Sequence, residues 1–226
     1  MKKIFTCSIY LFALVFNAFT KSIIDQFEFS NNVPLMVEVE YTNKENIILI
    51  KNREYCLSME FSSNDNCRLT VSNNKYNAIF FAHLKKDAID SLNTFYIDKE
   101  SLCILICYNI MGVTGLSANI SSGLLIKLNE EIDVVELSSF GDLRKNFIDI
   151  NNDGSFEFVC IDLFYGEVNR YLVPNIFSLT HKVENITDKS KLFSVCIDEL
   201  HSKSLYPKDY TLIKEPKIMK NKILYH

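Results

Sequence analysis

Apolar and polar residues alternate with a period of two along much of the chain, which predicts strands rather than helices. Leu35–Tyr41 (LMVEVEY) alternates apolar with acidic residues, as a half-buried strand does. Ile47–Lys51 is a short apolar run. Tyr55–Phe61 and Cys67–Val71 flank the turn-rich string SSNDN, which predicts a hairpin. Ala78–Leu84 is a further strand candidate. Lys85–Phe95 is polar but carries Ala88, Leu92 and Phe95 at helical spacing, so a short helix is expected there.

Leu102–Ile110 (LCILICYNI) is apolar throughout and predicts a central strand covered on both faces. Residues 111–123, Met111 to Gly123, hold three of the six glycines and predict a long loop. Leu124–Leu128 and Ile132–Leu137 flank the acidic turn NEE and predict a second hairpin. Phe156–Phe164 (FEFVCIDLF) is aromatic and β-branched, the strongest strand signal of all. Tyr171–Leu179 predicts one more strand, interrupted at Pro174.

The period then changes. In Thr187–Lys203, Leu192, Phe193, Cys196, Ile197 and Leu200 share one helical face, with Asp188 or Ser190 as cap. A C-terminal helix is therefore expected, followed by an extended tail over 205–226 that contains Pro207 and Pro216. The fold class expected is mainly β (α+β), with antiparallel sheets in a single domain over 21–204.

The first twenty residues change this picture only by giving an address. Lys2 and Lys3 precede an apolar run from Ile4 to Phe16, and small or polar residues (Asn17, Ala18, Thr20) follow. That is the layout of a secretory signal peptide, with cleavage expected between Ala18 and Ser22. The run is shorter than the roughly 20 apolar residues that a spanning helix needs, and no later segment is long enough. An exported protein, periplasmic or secreted, is expected, with no membrane span after cleavage.

Composition supports a packed core. Of 226 residues, 48% are hydrophobic and 23% charged, and only six are glycine and four proline. Disordered and collagen-like classes are excluded. The net charge is −4. Losing residues 1–20 removes two lysines and no acid, leaving 22 basic against 28 acidic residues. An acidic chain without a basic block is a poor fit to nucleic acid or anionic lipid.

Six of the seven cysteines lie beyond the leader: Cys56, Cys67, Cys103, Cys107, Cys160 and Cys196. An exported chain permits disulfides, and Cys56–Cys67, flanking the first hairpin turn, is the first pair expected. Cys103 and Cys107 fall about 13 Å apart on one strand at about 3.3 Å per residue, too far to bridge each other.

One stretch carries chemistry. In Asp149-Ile-Asn-Asn-Asp-Gly-Ser-Phe-Glu157, oxygen-bearing side chains recur at every second position: Asp149, Asn151, Asp153, Ser155 and Glu157. Calcium takes about six to eight oxygen ligands, and a curled loop can turn alternate side chains toward one centre. Gly154 permits the sharp turn. An EF-hand would need a bidentate Glu at its twelfth position, where this chain has Cys160, and a helix where FEFVCIDLF favours a strand.

The segment NFIDINNDGSFEFVCIDLF resembles the calcium loop of FG-GAP or VCBS-type repeats, which occur in β-propellers and in exported bacterial proteins. The resemblance implies one calcium ion, held by the side chains of Asp149, Asn151, Asp153 and Glu157 and by the carbonyl of Ser155. It covers about twenty residues, once, and so implies an incomplete or irregular β-propeller-like assembly.

No H-E-x-x-H, G-x-S-x-G, Walker or dinucleotide motif is present, and His83, His181, His201 and His226 are not spaced as metal ligands. Asn119-Ile-Ser and Asn185-Ile-Thr match glycan acceptors. The expected function is non-enzymatic: a structural or recognition module at the cell envelope, with a protein or glycan partner. The alternatives are a secreted hydrolase with dispersed carboxylates, or an inhibitor of another enzyme acting through the 111–123 loop.

Overall fold

The computed structural model describes residues 34–62, 66–73, 77–109, 119–128, 132–188, 210 and 216–219, together with the backbone of 194–196, 203–204 and 222–225. They form three antiparallel sheets, largely in chain order. The first is a meander of β1 (Glu40–Lys44), β2 (Ile47–Lys51), β3 (Tyr55–Phe61), β4 (Asn66–Asn73) and β5 (Asn77–His83). The second contains β6 (Ile89–Tyr96), β7 (Leu102–Tyr108), β8 (Ile120–Leu128) and β9 (Ile132–Phe140). The third contains β10 (Phe147–Ile148), β11 (Glu157–Tyr165), β12 (Arg170–Ser178), β13 (Glu184–Asn185), β14 (Ser194–Cys196) and β15 (Lys203–Ser204). Two later strands return: β16 (Lys217–Ile218) pairs with β9, and β17 (Lys222–Tyr225) with β5.

The second sheet is the middle layer. From β7, Leu102, Ile104 and Ile106 enter one core, shared with Leu57, Met59, Leu69 and Phe80 of the first sheet. Cys103, Leu105 and Cys107 enter another, shared with Phe147, Phe158 and Phe177 of the third. Residues of one strand alternate between faces. A strand covered on both sides therefore loses its polar alternation, and β7 reads as a continuous apolar run. In the first sheet the alternation survives: Tyr55, Leu57 and Met59 are buried while Glu60 is exposed.

Several expectations change. Lys85–Phe95 is not a helix: a 3-10 turn at Lys86–Ala88 leads into β6, which pairs with β7 through a register shift between Ile89 and Ser91. The apolar β7 needs a neighbour on that edge, and the ladder overrides the spacing of three apolar residues. No helix forms over the described part of Thr187–Lys203. Val195 and Cys196 instead pair with Leu172 and Tyr171 of β12, while 189–193 and 197–202 lie outside the described residues. Of the long loop expected over 111–123, residues 120–123 belong to β8 and 111–118 are outside the described residues. The strand expected at Leu35–Tyr41 starts only at Glu40, preceded by a bridge from Met36 to Phe95.

Of the tail expected over 205–226, the described strands β16 and β17 pair into the second and first sheets, and 205–209, 211–215, 220–221 and 226 lie outside the described residues. Pro174 does not break β12; it sits within the ladder opposite Ile161. The Cys56–Cys67 disulfide does not form, and both residues are free thiols. Cys56 lies opposite Ser72 and Cys67 opposite Phe61. The two are therefore several rungs apart, about 17 Å at about 3.4 Å per rung, well beyond disulfide reach. Burial pushes the Cys67 thiol up to about 12.

Candidate metal loop and an inter-sheet cleft

The acidic loop is the connection of a hairpin. Ile148 pairs with Glu157, so the ladder itself brings the flanking Asp149 to the start of β11. Phe147 and Phe158 anchor the two strands in the core, with ring centroids 5.4 Å apart. Phe147 also meets Phe95 of the middle sheet at 4.9 Å. The Phe156 N–H donates to the Ile97 carbonyl at 2.6 Å, tying the loop to the β6–β7 turn.

Within the loop the chain curls around Asp149, which is 3% exposed. Its two oxygens accept from the Asp153 N–H at 3.1 Å and the Gly154 N–H at 3.0 Å. Asn151 Oδ1 accepts from the Asp153 N–H at 3.1 Å, and Asn151 Nδ2 donates to Asp153 Oδ2 at 2.8 Å. Asp153 Oδ1 accepts from the Ser155 N–H at 2.8 Å. Glu157 Oε2 accepts from the Ile150 N–H at 3.0 Å. The curl requires the left-handed region at two residues, Asn152 (φ 64°) and Gly154 (φ 87°). Asn and Gly are the residues that adopt it at least cost.

Asp149 and Glu157 are buried, Ser155 is half-buried, and Asn151 and Asp153 form an exposed rim. Burial raises the Glu157 carboxyl above its ordinary value; the Ile150 N–H opposes this, and the charges of Asp153 and Asp149 add to it. Hydrogen bonds from the Ser155 backbone and the Asn151 side chain lower that of Asp153. Among the described residues, no three His, Cys, Asp or Glu side chains are grouped to hold a metal ion. The donors are all hard oxygens, which fits calcium rather than a thiophilic metal. Such an ion would be held by Asp149, Asn151, Asp153 and Glu157, with the Ser155 carbonyl.

A second site was not legible in the sequence. A cleft of about 840 Å³ opens at the margin of the middle and third sheets, lined in part by Tyr108, Glu136, Ser138, Asp162, Tyr165 and Tyr210. Asp162 Oδ2 accepts from the Tyr210 hydroxyl at 2.8 Å and from Asn175 Nδ2 at 2.9 Å, and Asn175 Nδ2 also lies 2.5 Å from the Tyr210 oxygen. Asn175 is fully buried. Cys160 donates its S–H to the Ser138 carbonyl at 3.1 Å, and its sulfur lies 3.5 Å from Asp162 Oδ1. Burial, reinforced by Asp162, pushes the Tyr210 phenol well above its usual range, so the hydroxyl stays protonated and donates. Glu136 is ion-paired with Lys217 of β16 at 3.1 Å.

These groups are far apart in sequence, and no spacing rule joins them. The one local signal is a carboxylate, Asp162, inside the apolar strand FEFVCIDLF. His83 is exposed and lines neither site; His181 is exposed and lines a cleft with Asp153, Gly154 and Ser155 of the loop. His201 and His226 lie outside the described residues. No described helix is long and apolar enough to cross a membrane. Compared with family models, with curated proteins and with solved structures, the chain matches none of them.

Proposed function

We propose that this is an exported calcium-binding β protein that recognises a hydroxyl-rich ligand of the glycan class through the inter-sheet cleft. The supporting observation is the lining of that cleft. Tyr108, Tyr165 and Tyr210 supply aromatic carbon with polar tips, and Asp162, Ser122, Ser138 and Ser139 supply short polar groups. Its volume of about 840 Å³ lies within the range of small-ligand sites. The Glu136 charge is met by Lys217, so the lining is close to neutral apart from Asp162. A neutral ligand with one apolar face and many hydroxyls suits this chemistry better than a phosphate or a cation does.

The calcium loop has a structural role in this reading. Glu157 begins β11, and Asp162 lies on the same strand, about 17 Å away at about 3.4 Å per residue. An ion at Asp149, Asn151, Asp153, Ser155 and Glu157 fixes one end of the strand whose other end lines the cleft. The three stacked meanders, each antiparallel, fit a short, open version of a propeller-like assembly built on an FG-GAP or VCBS-type loop. A hydrolytic reading has less support. A glycosidase uses two facing carboxylates, and of the two lining this cleft Glu136 is already paired with Lys217.

The test is a glycan-array screen of the calcium-loaded protein, followed by titration calorimetry with any hit. Binding that falls at least tenfold in Tyr165→Ala, which removes an exposed ring, supports the reading. A blank array, together with capture of a protein partner unaffected by Tyr165→Ala, overturns it.

A further inference from the structure

Two tripeptides fit the N-glycan acceptor pattern, and the fold treats them differently. Asn119-Ile120-Ser121 leads into β8, an interior strand flanked by β7 and β9. Its Ile120 lines the inter-sheet cleft, its Ser121 pairs with Ser139 in the ladder, and the Asn119 carbonyl accepts from the Gly141 N–H at 2.8 Å. An oligosaccharide here would stand at the packed margin between two sheets.

Asn185-Ile186-Thr187 lies at the margin of the third sheet, with Ile186 exposed and Asn185 and Thr187 half-buried. Among the described residues β13 pairs with β12 alone, through Phe177↔Asn185 and Ser178↔Glu184. Ile186 is 47% exposed, and both Glu184 and Asp188 are exposed. Asn185 Oδ1 accepts from the Thr187 N–H at 2.9 Å. That bond occupies the amide oxygen, and Nδ2 makes no hydrogen bond among the described residues. The Thr187 hydroxyl is also fixed, accepting from the Ile176 N–H at 2.7 Å. The segment is thus held by its main chain and its threonine, and the asparagine nitrogen is left for chemistry.

We propose that Asn185, and not Asn119, is an attachment site for an N-linked oligosaccharide. The donor is an oligosaccharide on a polyprenyl pyrophosphate. Asn185 Nδ2 bonds to the anomeric carbon and gives up one proton, the anomeric carbon–oxygen bond breaks, and the polyprenyl pyrophosphate leaves. No oxidant or reductant is involved. The inference rests on the export reading, since the transfer takes place in a secretory lumen.

The experiment is translation of the full chain with endoplasmic-reticulum microsomes, read by protease protection and by mobility with and without peptide N-glycosidase. The expected result is a protected chain carrying one glycosidase-sensitive shift. Asn185→Gln and Thr187→Ala lose it, and Asn119→Gln and Thr187→Ser keep it. Because the shift is read on the denatured chain, it does not depend on whether a variant folds. A protected chain without a shift overturns the acceptor and leaves export standing. An unprotected, unshifted chain overturns both. A shift lost in Asn119→Gln but kept in Asn185→Gln overturns the assignment.

Discussion

Lys127 reaches from the middle sheet to the third through one buried hydrogen bond, its Nζ donating to the Leu179 carbonyl at 2.8 Å. The side chain is 2% exposed, and Lys127 sits across the ladder from Asp133 on one side and Cys103 on the other. Lysine is almost never buried this fully without partners. The bond meets the Leu179 carbonyl where the chain leaves β12, so it closes the inter-sheet core at that edge. Lys127→Met keeps most of the volume but leaves that carbonyl unpaired, at a cost of about 1–3 kcal/mol. Lys127→Ala adds a cavity and costs more, about 2–5 kcal/mol. Urea unfolding midpoints check the order; equal midpoints for wild type and both variants would contradict it.

Calcium should act through the loop alone. Asp153 is exposed, and its bonds to Asn151 and Ser155 are local. Asp153→Ala is therefore expected to lower the melting temperature in millimolar calcium and to change little in chelator. Scanning calorimetry under the two conditions measures the difference. A wild type that melts identically with and without calcium would remove the ion from the account.

Two glycines should differ in how they fail. A Cβ on Gly123 would lie 2.9 Å from Leu143 Cδ1 and 3.0 Å from the Ile106 carbonyl oxygen. Gly123→Ala should cost about 1–3 kcal/mol by overpacking the middle sheet. A Cβ on Gly154 meets nothing within 4 Å, but the residue sits at φ +87°. Gly154→Ala should cost about 1–2 kcal/mol through the backbone alone and weaken calcium binding with it. Paired unfolding and calcium titrations separate the cases: only the second variant should lose ion affinity at unchanged core packing.

Acid stability should depend on Asp142. Burial raises its carboxyl, but hydrogen bonds and charge from Arg144, with Lys145, outweigh this and set it below its ordinary value of 3.8. The Arg144 guanidinium grips both oxygens at 2.8 Å, and the Arg144 N–H bonds Oδ1 at 3.1 Å. A lowered carboxyl stabilises the fold above its unfolded value, and that contribution is lost as pH falls through the folded one. Asp142→Asn should therefore be less stable than wild type at pH 7, and the gap should close below about pH 4. A gap that is constant from pH 7 to 2 would deny the ionised pair its role.

The leader is tested by sequencing the exported protein from its N-terminus. A first residue between Phe19 and Ile23 is expected. A sequence starting at Met1 would overturn cleavage of the leader.

Sequence patterning reached the strands whose faces differ and those with no polar face at all. Tyr55–Phe61 alternates because Tyr55, Leu57 and Met59 enter the core shared with the middle sheet while Cys56, Ser58 and Glu60 lie on the more open face; Leu102–Tyr108 does not alternate because both sides are covered. It failed where a partner decided the outcome. Ile89–Tyr96 follows β7, and Ser194–Cys196 follows the free edge of β12, against their own helical spacing. The acidic loop was legible because its residues are contiguous and obey one local geometry. The cleft was not, because Tyr108, Glu136, Asp162 and Tyr210 meet only after the middle and third sheets have packed.

The pairing of Lys222–Tyr225 with Asn77–Phe80 has a kinetic consequence. The first meander is synthesised by residue 83, yet its sixth strand arrives only after the middle and third sheets have been translated. Through that interval β5 presents an open backbone edge, the template on which neighbouring chains aggregate. Chains interrupted before residue 222 should therefore associate with one another during synthesis, even where every earlier strand is intact.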